Sequence, residues 1–349
     1  DKRNLKLISR YMENNTVKNL YIISGVTGMT GNELARRLTA GNNIVIGFDN
    51  FFASSIDTVA DLLPSPRFIF HQWDINDSEQ MDLLQEEVNE LRRRHHPEQI
   101  VYINCAAVVH TEHFYKVEET FSTNVTAMRD FLQRAIDAGA ATYINCSTSE
   151  VYSMQSWNAD GGVKESDFLV LATAEHSQRT SYAVGKLMTE FFLKDAVEKG
   201  LIRGCSIRFA NVYSKHERFA KHIIPHIINQ LISGSEIKLL ENSRVNKRTF
   251  LHNYDSCQAV IELMNTPSAL DGSVYNVATD EEISIVDLAK KIAAKMGVEN
   301  PRIVFEGYRA SDPERRVLST EKIRTRTAWK PTMTLDSGLD LCIASIERD

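Results

Sequence analysis

The chain predicts an α/β protein: a doubly wound parallel sheet followed by a smaller mixed α/β lobe. Three observations carry that expectation. Short apolar runs alternate with amphipathic stretches through the first half of the 349 residues, a glycine-rich turn directly follows the first run, and the alternation breaks into shorter pieces after Tyr213. Strands that alternate with helices pair in parallel, because a right-twisted strand feeding a right-handed helix packs back onto its sheet with one hand.

Strands are read at 20–24, 44–49, 68–74, 100–107, 142–147 and 205–212, and helices at 31–38, 78–93, 119–138 and from Tyr182 to about residue 198. Beyond Tyr213, a helix with an internal Pro225 covers about 219–232, and strand-like pieces lie at 238–240 and 273–277. Ser284 is placed to cap a helix that runs to Lys295 and is ended by Gly297. The expected division is an extension over 1–18, a dinucleotide-binding domain over 19–213, and a substrate lobe mainly over 214–349, interleaved in part with the first.

Bulk properties narrow the class. An apolar fraction of 43% supports a sizeable core, while a net charge of −6 and no long basic stripe argue against nucleic acid as a partner. The basic run Arg92-Arg-Arg-His-His96 closes a helical segment, where cations are favoured. The five cysteines are odd in number and lack paired spacing, so neither a disulfide framework nor a metal site is expected. The first 18 residues lack an apolar signal core, and no run reaches membrane length. A soluble, cytoplasmic protein without membrane association is the expectation.

Gly25-Val-Thr-Gly28-Met29-Thr30-Gly31 follows a strand and opens a helix. Such a turn brings backbone amides to a pyrophosphate at the positive end of the helix. Asp49 ends the second strand; its carboxylate suits the hydroxyls of an adenosine ribose and repels a 2′-phosphate, which favours NAD over NADP. Asn50 follows it, Asp74-Ile75 end the third strand and could face the adenine, and Ala106-Ala107 end the fourth with the small side chains that close approach of a dinucleotide needs. Tyr182 and Lys186 lie four apart on one helical face. A lysine ammonium beside a phenol lowers its pKa from about 10 towards working pH, and Thr148 supplies a hydroxyl upstream. That set can remove a proton from an alcohol while a cofactor takes the hydride.

As an ordered set, the glycine turn, Asp49-Asn-Phe-Phe52, Asp74-Ile75, Ser147-Thr-Ser-Glu-Val-Tyr152, Tyr182-Ala-Val-Gly-Lys186, Arg208-Phe-Ala-Asn-Val-Tyr213, Arg248-Thr-Phe250 and Arg309-Ala-Ser-Asp-Pro-Glu-Arg-Arg316 resemble the extended short-chain dehydrogenase/reductase family, in its nucleotide-sugar-modifying branch. The resemblance implies a Rossmann-type domain holding NAD, with Tyr182 and Lys186 also touching the cofactor, and a smaller lobe for a nucleoside-diphosphate sugar, with a UDP-sugar favoured. It further implies that Thr148 bonds the sugar O4, that Tyr182 deprotonates it, and that Ser149, Asn211, Arg248 and Arg309 bind substrate. Met29-Thr30, Ser153 and Ser214-Lys-His216 depart from the usual residues and mark a divergent member.

Oxidation at C4 gives a ketone that can be epimerised, dehydrated or, beside a C5 carboxylate, decarboxylated. Glu150 stands where the resemblance places the general acid/base of dehydratases and of UDP-glucuronate decarboxylases. Ser149 replaces the aspartate of dTDP-glucose dehydratases, and Arg248 has no acid beside it in Arg248-Thr-Phe250, leaving it freer for a substrate carboxylate. Decarboxylation is therefore the first expectation, dehydration the second, epimerisation the third. A dinucleotide-binding regulator without catalysis is the alternative from another class. The helices at 119–138 and 181–198 carry apolar residues on more than one face (Phe121, Val125, Met128, Phe131, Leu132; Leu187, Met188, Phe191, Phe192), and the family's pairing of these helices implies a homodimer.

Overall fold

The computed structural model describes residues 17–108, 110, 114–154, 161–217, 219–310 and 312–346. The expected extension thus lies outside the described residues up to position 16. Val17 and Lys18 belong to the fold instead: Val17 is in the core, and Lys18 donates to the Asn42 carbonyl and accepts from the Glu98 amide.

The chain begins β1 (Asn19–Ser24), α1 (Met29–Thr39), β2 (Ile44–Phe48), β3 (Phe68–His71), α2 (Ser78–His95) and β4 (Gln99–Asn104). Then come α3 (Val117–Phe121), a π-helical turn (Ser122–Thr126), α4 (Ala127–Asp137), β5 (Thr142–Thr148), α5 (Thr180–Glu198) and β6 (Arg203–Phe209). With β11 (Asp271–Val277) these strands form a seven-stranded sheet of order β11-β6-β5-β4-β1-β2-β3. The strands from β5 to β3 pair in parallel, for instance Ile22 with Ile46 and with Tyr102. Both faces of this sheet are covered, so β1 and β2 are buried almost throughout and read as continuous apolar runs rather than alternating ones. Strand order reverses between β1 and β4, whose following loops therefore diverge and leave a crevice at their carboxyl ends.

The described residues divide into two compact, discontinuous units: 1–146, 188–206 and 267–273 in one, 147–187, 207–266 and 274–349 in the other. A single boundary at residue 213 is thus replaced by several crossings. The piece expected at 273–277 is part of β11, which pairs into the seven-stranded sheet. In the second unit, β7 (Val212–Tyr213), α6 (Ile223–Ile232), β8 (Ile237–Leu239), β9 (Lys247–Thr249), β10 (Leu251–His252), α7 (Asn253–Met264), β12 (Glu282–Ser284), α8 (Ile285–Lys295), β13 (Ile303–Phe305), α9 (Glu321–Arg326) and α10 (Leu335–Ile346) follow. Two-stranded pairings β10-β7, β12-β9 and β13-β8 surround a core of Ile227, Ile237, Leu288, Ile292 and Leu339.

Pro225 is the third residue of α6, in the first turn, where amides have no partner within the helix; the helix starts later than expected, and the proline interrupts nothing. Ser284 caps α8 as expected, accepting from the Asp287 amide at 3.0 Å. Of the residues expected at a dimer interface, Val125, Met128, Phe131 and Leu132 are instead buried, the last three in the core shared with β1, β2 and β4, whereas Phe121, Met188 and Phe191 are exposed. Among the described residues, no helix is long and apolar enough to cross a membrane.

Asp77 caps α2 by accepting from the Glu79 and Gln80 amides. Asp77→Ala is expected to lower stability by about 1 kcal/mol, read as a lower urea midpoint with nucleotide affinity unchanged.

Candidate active site

In the first unit, Gly25 adopts φ +67°. A Cβ there would stand 2.7 Å from the Ala106 nitrogen and 2.8 Å from the Cys105 carbonyl carbon, so the turn after β1 lies backbone to backbone on the loop after β4. A Cβ on Gly31 would strike the Gly25 carbonyl oxygen and the Val26 Cα. Only glycine fits either place, and the result is a cradle at the start of α1. Gly28 is the N-cap of α1 and brings no capping side chain, the first turn (Met29, Thr30, Gly31) carries no acid, and Arg36 and Arg37 lie in the last turn. A helix start of that kind suits a pyrophosphate.

Asp49 accepts from the Thr27 amide at 3.2 Å and the Phe51 amide at 2.9 Å, which fixes its carboxylate at the end of β2. Asn50 donates to Asp74 at 3.0 Å, and Asp74 also accepts from the Asn76 amide at 2.8 Å. Burial pushes Asp74 up, but these hydrogen bonds outweigh it and hold the carboxyl below its ordinary range. The Ile75 side chain is buried in the core cluster that includes Met81 and Leu84. Ala106 and Ala107 are half-buried beyond β4, and Asn124 braces the same loop by pairing with both the amide and the carbonyl of Val108. These residues fit a dinucleotide.

In the second unit, Thr148 ends β5 and accepts from the Glu150 amide at 3.2 Å, starting a short helical turn (Ser149–Tyr152) in which Ser149 is buried. Tyr182 and Lys186 are both buried on α5, and the Tyr182 hydroxyl is hydrogen-bonded with Thr148. The expectation that Lys186 draws the phenol towards neutral pH is corrected. Burial and the Glu150 charge raise Tyr182 well above the ordinary tyrosine range, against the smaller opposing effects of Thr148 and Arg179.

Glu150 is held by two arginines that sequence reasoning did not assign. Its Oε2 lies 3.0 Å from Arg179 Nη2, and its Oε1 pairs with Arg316 Nη1. Burial opposes ionisation, but Arg316, Arg179 and, more weakly, Arg248 overcome it and hold the carboxyl at about 2. Arg316 is only 3% exposed, and its Nε and Nη2 are buried without a hydrogen-bond partner among the described residues. Arg248 is not free of an acid: it pairs with Asp312 Oδ1 at 3.0 Å and donates to the carbonyls of Lys247 and Glu314. Among the described residues, Arg179 and Arg316 thus share Glu150, and Arg248 takes Asp312. Arg309 is fixed through its backbone by Asn242 at 2.8 and 3.0 Å. Asn211 donates to the Thr249 carbonyl at 3.1 Å. A hint of both missed arginines lay in their positions, Arg179 just before the Tyr182 helix and Arg316 closing the segment that starts at Arg309.

The profile of the NAD dependent epimerase/dehydratase family matches residues 21–278. The low-salt glycan biosynthesis protein Agl12 of Haloferax volcanii is 25% identical over 92% of the chain and 96% of its own length. The dTDP-D-glucose 4,6-dehydratase of Mus musculus is also 25% identical, over 85% of the chain and 79% of its own. Among solved structures, the dTDP-glucose 4,6-dehydratase DesIV of Streptomyces venezuelae superposes with a TM-score of 0.80 at 21% identity, covering 95% of this chain and 97% of that one. The UDP-glucuronic acid 4-epimerase of Bacillus cereus does so with 0.79 at 20%, covering 94% and 99%.

Gly25→Ala is expected to weaken NAD binding at least tenfold, measured by calorimetry, since a side chain at that φ alone costs about 1–2 kcal/mol and then meets backbone. The Glu150 pairing gives a pH signature. The carboxyl titrates near 4.3 when unfolded and about 2 when folded. Its stabilisation is therefore complete above about pH 4.3 and fades as pH falls towards 2. Glu150→Gln is expected to lower stability by about 1–3 kcal/mol at pH 7, and urea midpoints of the two proteins should converge between about pH 5 and pH 2.

Proposed function

Since the chain belongs to the NAD-dependent epimerase/dehydratase family, we propose that it oxidises a nucleoside-diphosphate sugar at C4 and then removes a C5 carboxylate from the ketone as carbon dioxide, a UDP-glucuronate-type decarboxylation. The observation that carries this reading is the buried Arg316 beside an ionised Glu150, with two of its donors unpaired among the described residues. Dehydration needs a base for the C5 proton, and a carboxylate held at about 2 is a poor one. A β-keto acid loses carbon dioxide without any carbon-bound proton being removed first; the C–C bond electrons pass into the enolate. Such a reaction asks the protein to hold a carboxylate, and the unpartnered Nε and Nη2 of Arg316 offer two donors in the fork that suits one.

NAD, when bound, supplies the hydride acceptor for the sugar C4. Thr148 and Tyr182 share a hydrogen bond through which the proton of the C4 hydroxyl can pass. Tyr182 must first lose its own proton, which burial and then Glu150 oppose and Thr148 and Arg179 favour. Arg309, with its backbone pinned and its guanidinium uncommitted among the described residues, is assigned to the substrate phosphates. Arg248, already engaged by Asp312, is assigned to adding positive charge beside Glu150 rather than to the substrate.

Dehydration is the second reading, favoured by the relatives named as dTDP-glucose 4,6-dehydratases; it requires substrate to loosen Glu150 from its arginines. Epimerisation is third. A regulator without catalysis fits poorly with an intact Tyr182–Lys186 pair. We also propose a homodimer through the exposed Phe121 (59%) and Phe191 (62%).

Incubation with NAD and a panel of nucleotide sugars, read by mass spectrometry, is expected to show a uronate losing carbon dioxide. Loss of water would favour dehydration, and recovery of every sugar unchanged and unepimerised would overturn the family-level reading as well. Tyr182→Phe is expected to abolish turnover with NAD still bound, and Arg316→Met to lower kcat/KM for a uronate more than tenfold. Sedimentation as a monomer at micromolar concentration would remove the dimer.

A further inference from the structure

The five cysteines have no paired spacing in sequence, yet the fold brings two of them together. β4 and β5 pair in parallel up to Asn104 and Asn145, so Cys105 and Cys146 are the next residues in that register. Their sulfurs lie 3.7 Å apart. Cys105 is half-buried and within reach of a small reagent, whereas Cys146 is 9% exposed beside it. The remaining thiols, Cys205, Cys257 and Cys342, are buried. No step of the sugar chemistry uses this pair.

We propose that Cys105 and Cys146 are a modification site: a low-molecular-weight disulfide of the glutathione type converts them to an internal disulfide, and the change is coupled to nucleotide binding at the glycine turn. The exchange balances. The Cys105 thiolate attacks one sulfur of the reagent, forming a mixed disulfide and expelling one thiolate. Cys146 then attacks the Cys105 sulfur and expels the second, so two protein thiols are oxidised and one reagent disulfide is reduced to two thiols.

The coupling follows from the packing around Cys105. Its carbonyl carbon lies 2.8 Å from the point a Gly25 Cβ would occupy, its amide donates to the Ser24 carbonyl at 3.2 Å, and the next amide, of Ala106, donates to Ser24 Oγ at 3.2 Å. Ser24 in turn donates to Asn104 at 2.7 Å. Bringing the sulfurs from 3.7 Å to a bond of about 2.0 Å displaces residues that rest on the glycine turn with no side-chain cushion between. Oxidation therefore weakens NAD binding, and bound NAD disfavours oxidation by the same factor.

The test uses the full chain, incubated with glutathione disulfide at fixed ratios to glutathione, with and without saturating NAD. Non-reducing peptide mapping is expected to find one bridge, Cys105 to Cys146, which dithiothreitol removes. NAD affinity of the oxidised protein, measured by calorimetry, should fall at least tenfold, and NAD should shift the oxidation midpoint in proportion. Cys105→Ser and, separately, Cys146→Ala should each make NAD affinity insensitive to the oxidant. The proposal is overturned if glutathione remains on Cys105, if the bridge joins other cysteines or fails to form, or if the oxidised protein binds NAD as tightly as the reduced one. None of these readouts involves sugar turnover, so they stand or fall apart from the decarboxylase reading.

Discussion

A guanidinium buried as deeply as Arg316 must be met by a carboxylate, because an unpaired charge away from water costs several kcal/mol. Glu150 meets it, and much of the second unit is arranged around that contact. Leu318 bridges Val163, with the Val163 amide bonded to the Val317 carbonyl and the Ser319 amide to the Val163 carbonyl, so the stretch carrying Arg316 is pinned. On the other side, the Thr148 hydroxyl fixes the turn that carries Glu150 and is also the partner of Tyr182. Glu150 thus also acts on the phenol, and two donors of Arg316 face no partner among the described residues. The ion pair is tolerated because it is shared: Arg179 takes the second oxygen of Glu150, and Asp312 occupies Arg248.

What the sequence made legible is what depends on neighbours along the chain. Apolar runs placed β1, β2, β4 and β5 within a few residues, the glycine spacing placed the turn after β1, and Tyr182 with Lys186 marked one face of α5. Ser284 as a helix cap was equally local. Interactions between distant segments were not legible. Arg248 looked free of an acid because Thr249 follows it, yet its acid lies 64 residues further on. The strand β11 looked like any short apolar run, and nothing in its own residues says that it pairs beside β6. Val125, Met128, Phe131 and Leu132 read as apolar on more than one face, because a helix covering a sheet and a helix joining a partner draw on the same residue types. The raised Tyr182 pKa was misjudged for a further reason: spacing reveals a cation four residues away but not burial, and burial is the larger effect.

The residue clusters of the two units rest on different kinds of constraint. Around the glycine turn of the first unit the constraint is steric: Gly25 and Gly31 are required because backbone lies on backbone. In the second it is electrostatic, and almost every member carries a charge or a hydroxyl. Steric constraints leave a plain trace in sequence as glycine. Charge networks leave only a scatter of arginines and acids whose pairing the fold decides.

The order of strands has a consequence for how the protein is made. From β1 outward, the sheet adds β4, β5, β6 and β11 on one side and β2 and β3 on the other, each strand joining after the one inside it has been synthesised. The sheet can therefore grow outward as the chain emerges, with its edge strand arriving last. The second unit has no such freedom. Its residues 147–187 wait for segments that end at position 349, and Glu150 waits for Arg316, 166 residues later. Until then an unpaired acid and a row of apolar residues stay open to solvent, which is the interval in which a nascent chain of this topology is most exposed to misassembly.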